Sequence, residues 1–190
     1  LDLDFPYLMA VAEEIGRGLV LEPVLPVTVA GRLLAASNNG DAKSHLSALI
    51  SGESLLSLAW EESSSRGNPL LTQCTLVTRG DDYVLNGKKQ AVLAAAESQF
   101  YIVSARNSGG DLQLLLLNAK HSGITQRCYL LADGNSAADL EFNNVELPAS
   151  AIIASASQAE ALLQTTISES IVVMAAEAIG AIDQLLVITQ

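Results

Sequence analysis

Aromatic residues are scarce in this 190-residue sequence, at 4%, and there are only two cysteines, two histidines and ten Lys+Arg against 21 Asp+Glu. Each shortage closes off a class of function. A formal net charge of −11 repels a phosphate backbone, so nucleic acid is not an expected partner. Cys74 and Cys128 lie far apart inside apolar runs, with neither zinc-ligand spacing nor a disulfide framework. They read as reduced core thiols of a cytoplasmic protein, and no metal site is expected. No Gly-rich loop joins a strand to a helix, which removes the P-loop and the dinucleotide fingerprint. No basic segment precedes an apolar one, and no apolar run approaches the roughly 20 residues of a membrane span, so neither a signal peptide nor a membrane partner is expected. His45 and His121 are isolated in polar contexts and read as solvated surface residues.

What is present is burial capacity. At 49% hydrophobic residues the chain must fold. Residues 1–53 are helical in pattern: Leu8, Val11, Ala12, Ile15 and Leu19 make one stripe over Tyr7–Leu19. Pro23 and Pro26 interrupt the chain before a second helix at Val27–Ser37. After the Asn38-Asn39-Gly40 loop, with Asp41 as N-cap, a third helix ends near Gly52. Residues 54–150 change period. About seven strands alternate with turn signals, as in an antiparallel barrel or sandwich, and Asn86-Gly87 has the composition of a two-residue hairpin turn. From residue 151 the pattern returns to helix. Ser157 and Glu160 fit a capping box, and Leu163, Ile167, Ile171, Met174, Ala178, Ile182 and Leu185 recur at helical steps. The class is therefore α+β, in the order helices, sheet, helix. The chain starts at Leu1 and its last stripe stops at Gln190 without a stop signal, so the sequence reads as a piece of a longer protein whose remainder continues in helices. That stripe needs a partner, and self-association or fraying of the last helix is expected of the piece alone.

Two segments carry the chemistry when taken together. Leu58-Ala59-Trp60-Glu61-Glu62-Ser63-Ser64-Ser65-Arg66-Gly67 is a strand running into a Ser/Gly loop with one arginine. Leu85-Asn86-Gly87-Lys88-Lys89-Gln90-Ala91-Val92-Leu93 leads through small residues to Phe100–Arg106. The second resembles the part of acyl-CoA dehydrogenases in which a strand ending in N-G-x-K leads to a flavin-contacting strand, a small-residue loop and a strand ending in A-R, and the first resembles their T-E-P-x-x-G-S-D segment. Leu140–Pro148 is similar to that family's F-x-x-V-x-V-P, and Val11–Arg17 with Pro23 to its E-E-L-G-R…P. The likeness extends over nearly the whole chain in the family's order. Its nearest branch contains the small subunit of pimeloyl-CoA dehydrogenase and the subunits of heteromeric steroid-type enzymes.

The resemblance implies a fold of partial N-terminal helical domain (1–53), middle β domain (54–150) and truncated C-terminal helical domain (151–190). It implies FAD as cofactor, an acyl-CoA thioester as substrate, electron-transfer flavoprotein as a partner, and a homo- or hetero-oligomer of related subunits. The family removes an α-proton with a glutamate while the β-hydrogen leaves as hydride to flavin N5. Family bases come from helices beyond Gln190, so no catalytic residue is assigned. By the same resemblance, Trp60 and Glu61 fall where the pyrimidine edge of the flavin is approached, and Arg66 where the cofactor pyrophosphate is bound. Ala91-Val92-Leu93 align with the family's W-I-T. Neither Ala91 nor Leu93 can supply the ring cover or the hydroxyl donor of that motif, which leaves backbone amides. Two readings stay open: an FAD-dependent acyl-CoA dehydrogenase fragment, inactive alone, or a flavin-poor structural partner subunit of a heteromeric enzyme.

Overall fold

A computed structural model describes residues 5–37 and 39–190; the side chain of Asp41 lies outside the described residues. Four helices come first: α1 (Phe5–Gly18), α2 (Val24–Ala36), α3 (Gly40–Lys43) and α4 (His45–Ile50). Eight strands follow: β1 (Leu56–Ala59), β2 (Thr75–Arg79), β3 (Asp82–Leu93), β4 (Phe100–Asn107), β5 (Leu112–Asn118), β6 (Ile124–Leu130), β7 (Ser136–Leu147) and β8 (Ile152–Ser155). The chain ends in one long helix, α5 (Ala156–Thr189). Helix α2 starts directly after Pro23, with Pro26 inside its first turn, where a missing N–H costs nothing. Asn39 caps α3: its Oδ1 accepts the Ala42 amide at 3.0 Å. Its Nδ2 donates to the carbonyls of Ser150 and Ile152, tying this turn to the end of the sheet.

The strands form one sheet in the order β6-β7-β3-β2-β4-β5-β8, with β1 added alongside β4. Most pairs are antiparallel, but β4 pairs in parallel with both β1 and β2, so the sheet is mixed. Strands β4 and β5 are buried on both faces, and the two-residue period divides their side chains. Tyr101, Val103, Leu115 and Leu117 join Leu85, Leu140, Phe142 and Val145 in one cluster. Because β5 and β7 lie far apart in strand order yet share that cluster, the sheet must curl around it. Ile102, Leu112 and Leu114 face the other way, onto Ala30, Leu33 and Leu34 of α2 and Leu163 of α5. The α+β class of the sequence reading is the observed one, with the helices against the outer face.

Several local readings change. Asn86-Gly87 lies inside β3 rather than turning it; the β2–β3 turn is made at Gly80-Asp81. The Asn86 side-chain oxygen accepts the amide of Asn144, the left-handed residue of a bulge on β7. Gly87 is held flat under Cys74: a Cβ there would stand 2.4 Å from Sγ. Helix α5 begins at Ala156 after Ser155, which makes no side-chain cap bond, so the capping box at Ser157 does not form.

The buried stripe of α5 also differs from the expected one. Leu163 is buried, but Ile171, Met174, Ile182 and Leu185 are exposed. Val173, Ala176 and Gly180 face α1 instead, against Ala12 and Gly16. Contrary to the reading from sequence, α5 is long and apolar enough to cross a membrane by length and composition, with a mean hydropathy of 2.0 over its best window. Glu177 and Asp183 interrupt the apolar run, yet the helix still reaches that average. Packing against α1, and the 3.8 Å approach of Arg17 to Asp183, fit a helix of a bundle.

Candidate functional site

Strand β1 runs out at Ala59, and its continuation stays beside β3. The Gln90 amide donates to the Glu61 carbonyl at 2.9 Å, and Ser57 Oγ donates to the Leu93 carbonyl at 2.8 Å. These two bonds bring Trp60, Glu61, Ala91, Val92 and Leu93, some thirty positions apart in sequence, onto adjoining segments. Trp60 is half-buried against the cluster beneath the helices, and Glu61 is half-exposed.

A bulge between Lys89 and Val92 sets which of the β3 residues face out. Ala91 takes a left-handed conformation (φ 51°), so Ala91 and Leu93 are exposed while Val92 is core, 2% exposed. That conformation is unfavourable for alanine and must be held by its surroundings. Asp139 of β7 holds it: Oδ1 accepts the Ala91 amide at 3.2 Å and the Tyr129 hydroxyl at 2.8 Å, while Oδ2 pairs with Arg127. The Arg127 guanidinium holds the Asp139 carboxyl below the usual carboxylate range, helped by Tyr129 and the Ala91 amide. The one amide at position 91 therefore already has an acceptor.

Arg66 sits exposed, also left-handed (φ 49°), on the loop between β1 and β2. Its guanidinium suits a phosphate oxygen pair. The exposed Ala91–Leu93 surface and the half-buried Trp60 suit an aromatic ring system. Taken residue by residue, the Arg66 guanidinium suits a phosphate and the Ala91 and Leu93 side chains suit a ring face, with no side-chain hydroxyl at position 93.

Below this surface lies a group the motif reading passed over. Lys89, 1% exposed, points inward and donates from Nζ to Glu62 Oε1 (2.7 Å), Thr72 Oγ1 (2.9 Å), Ser104 Oγ (2.9 Å) and the Trp60 carbonyl (3.1 Å). Glu62, 6% exposed, also accepts the amides of Gln73 (2.7 Å) and Cys74 (3.2 Å) and the Thr72 hydroxyl. Burial works against the Glu62 carboxylate, but Lys89 and Thr72 outweigh it and hold its pKa low; burial pulls that of Lys89 down. No buried side-chain polar atom among the described residues lacks a partner. Burial pushes the neighbouring Cys74 thiol up to about 12, which makes it a core thiol and not a nucleophile.

The two histidines are half-buried rather than solvated. His45 packs on Phe100 with ring centroids 4.4 Å apart, and both histidines line a cleft of about 260 Å³ with Leu116 and Pro148. Among the described residues no group of three or more His, Cys, Asp or Glu could hold a metal ion.

Residues 57–145 match the family model described as acyl-CoA dehydrogenase, middle domain. No curated protein sequence matches the chain. Among solved structures, a steroid ACAD variant, Tcur3481-Tcur3483, is 25% identical over 97% of this chain and 48% of that one, with a TM-score of 0.83. The ChsE4-ChsE5 complex from Mycobacterium tuberculosis is 20% identical over 96% and 48%, at 0.83. A glutaryl-CoA dehydrogenase from Mycobacterium smegmatis, in complex with FADH2, is 20% identical over 81% and 40%, at 0.75. The chain spans about half the length of these structures or less. Together they establish the acyl-CoA dehydrogenase fold, with heteromeric and flavin-carrying examples among its neighbours.

Proposed function

We propose, from the premise that residues 57–145 form an acyl-CoA dehydrogenase middle domain, that this chain supplies the β-domain side of an FAD site in an acyl-CoA dehydrogenase. The observation that carries this reading is the pairing of the Trp60–Glu61 segment with the bulged Gln90–Leu93 segment through the Gln90–Glu61 bond. It places the exposed side chains of Ala91 and Leu93 and a tryptophan on adjoining segments, with the Arg66 loop continuing from the same strand. In this reading FAD, when bound, accepts the hydride lost from the β-carbon of an acyl-CoA thioester. Trp60, Glu61, Ala91 and Leu93 orient the ring, Val92 contributes only its backbone, and Arg66 neutralises the pyrophosphate. Electron-transfer flavoprotein is the expected electron acceptor of the whole enzyme, and a cytoplasmic oligomer its expected form. The division into 1–53, 54–150 and 151–190 accompanies the reading.

Trp60 is the only tryptophan in the chain, so its emission reports directly on the site. Saturable quenching of Trp60 by FAD supports the proposal; no saturable change at any FAD concentration overturns it for the chain alone. A second reading, a flavin-poor partner subunit of a heteromeric enzyme, is favoured by a specific pair of observations. Position 93 is a leucine, and the Ala91 amide is already bonded to Asp139. The occurrence of a two-component ChsE4-ChsE5 complex among the neighbours agrees with it. Titration in the presence of a co-expressed partner separates the two: flavin retained only by the complex supports the second.

A further inference from the structure

We infer that Glu62 and Lys89 are positioning residues, a buried clasp at the neck of the 63–71 loop that sets Arg66 and the Trp60–Glu61 segment where the cofactor would lie. The inference rests on the FAD reading above and extends it to two residues that cannot touch the cofactor, being 6% and 1% exposed.

The bonds themselves define the clasp. Glu62 stands at the entrance of the loop, and Thr72, Gln73 and Cys74 stand at its exit; all three exit residues donate to the Glu62 carboxylate. The loop ends are thus held together by one side chain. Within the loop, the Ser65 hydroxyl donates back to the Glu62 carbonyl at 2.9 Å, one residue before Arg66. Lys89 then ties this neck to the sheet. It reaches Glu62 and Thr72 on the loop, Ser104 on β4, and the carbonyl of Trp60. Lys89 also lies next to Gln90, whose amide holds the Glu61 carbonyl. One ammonium group therefore fixes both the aromatic residue and the base of the arginine loop relative to the β3 bulge.

Stability alone is a poor explanation for such a group. A buried ion pair can often be exchanged for apolar residues of similar volume without loss, whereas the removal of one partner is strongly unfavourable. The pair here joins the Trp60 carbonyl and the amides of Gln73 and Cys74, at the two ends of the loop, to the Thr72 and Ser104 hydroxyls. That pattern serves geometry.

The test compares the wild-type chain with Glu62→Gln, Lys89→Met and the double variant Glu62→Leu/Lys89→Met, by thermal unfolding, Trp60 emission, amide hydrogen exchange and FAD titration. The expected result is that the double variant regains a wild-type unfolding temperature, yet exchanges its 63–73 amides at least tenfold faster and binds FAD at least tenfold more weakly, with a shifted Trp60 spectrum. Unchanged exchange in 63–73, or FAD affinity equal to wild type in the folded double variant, overturns the inference. Should Lys89→Met fail to fold, the near-isosteric Glu62→Gln supplies the same readouts. A wild-type chain that takes up no FAD, while the variants still loosen 63–73, refutes the cofactor reading and leaves the clasp intact, so the two failures are distinguishable.

Discussion

Gly16 of α1 and Gly180 of α5 sit reciprocally against each other's helix. A Cβ on Gly16 would stand 1.9 Å from the carbonyl oxygen of Glu177, and one on Gly180 would stand 1.8 Å from that of Glu13. Each contact falls one turn before the opposite glycine, so the two backbones touch directly where the helices cross. Close approach of this kind is available only to glycine.

The first prediction follows from that contact. Gly180→Ala gains roughly 1 kcal/mol of helix propensity. The new methyl, however, meets backbone that cannot rotate away, and overpacking of this kind costs about 1–3 kcal/mol. The clash should win, with Gly180→Val worse. Urea unfolding should show Gly180→Ala less stable than wild type; equal or higher stability would mean the helices slide apart freely.

Acid should release the clasp. Glu62 has a folded pKa below its ordinary 4.5, so its contribution to stability is complete above that value and disappears as pH falls through the lowered one. Unfolding free energy measured from pH 7 to pH 3 should decline below about pH 4.5 more steeply in wild type than in Glu62→Gln. Parallel curves would contradict the assignment.

Asp139→Ala removes the acceptor of the Ala91 amide and the partner of Arg127 and Tyr129. Asp139 is half-buried but its ion-pair partner Arg127 is exposed, so the stability loss should stay at about 1 kcal/mol. The conformational effect should be larger: without Asp139 the amide of the left-handed Ala91 loses its acceptor. Amide exchange at Gln90–Val92 should rise while the rest of β3 stays protected. If these amides remain as slow as in wild type, the bulge is set by the sheet alone.

The exposed face of α5 carries Ile171, Met174, Ile182, Leu185 and Leu186, each more than half exposed. Covering such a side chain is worth about 1.5–3 kcal/mol. The isolated chain should therefore self-associate, and Ile182→Glu together with Leu186→Lys should yield monomer in light scattering. A monomeric wild type with a fully protected α5 would oppose this.

Period two in β4 and β5 and the order of the motifs made the class and the family likeness legible. The clasp was not, because Lys88-Lys89 after Asn86-Gly87 has the composition of a solvated turn. A signal did exist: Lys89 shares inward parity with Leu85 and Gly87, and an inward lysine requires an inward carboxylate such as Glu62. The parity argument then fails two residues later, because the bulge at Ala91 reverses it and sends Val92 into the core. In α5 the error had another origin. Both faces of the helix are apolar, so composition could not show that Val173, Ala176 and Gly180 meet α1 while Ile171 and Met174 do not. Only the glycines at 16 and 180, small residues on facing helices, marked the seam.

The pairing of α1 with α5 also sets an order of events during synthesis. Helix α1 spans Phe5–Gly18, and its seat begins to appear only after Ala156. At about 5–20 residues per second, a ribosome needs roughly 10–30 s to deliver it. Throughout that interval the sheet can close on itself while α1 trails with Phe5, Leu8 and Met9 uncovered. Of these elements α1 is thus made early and docks late, and a nascent-chain binding factor has its longest opportunity at that helix.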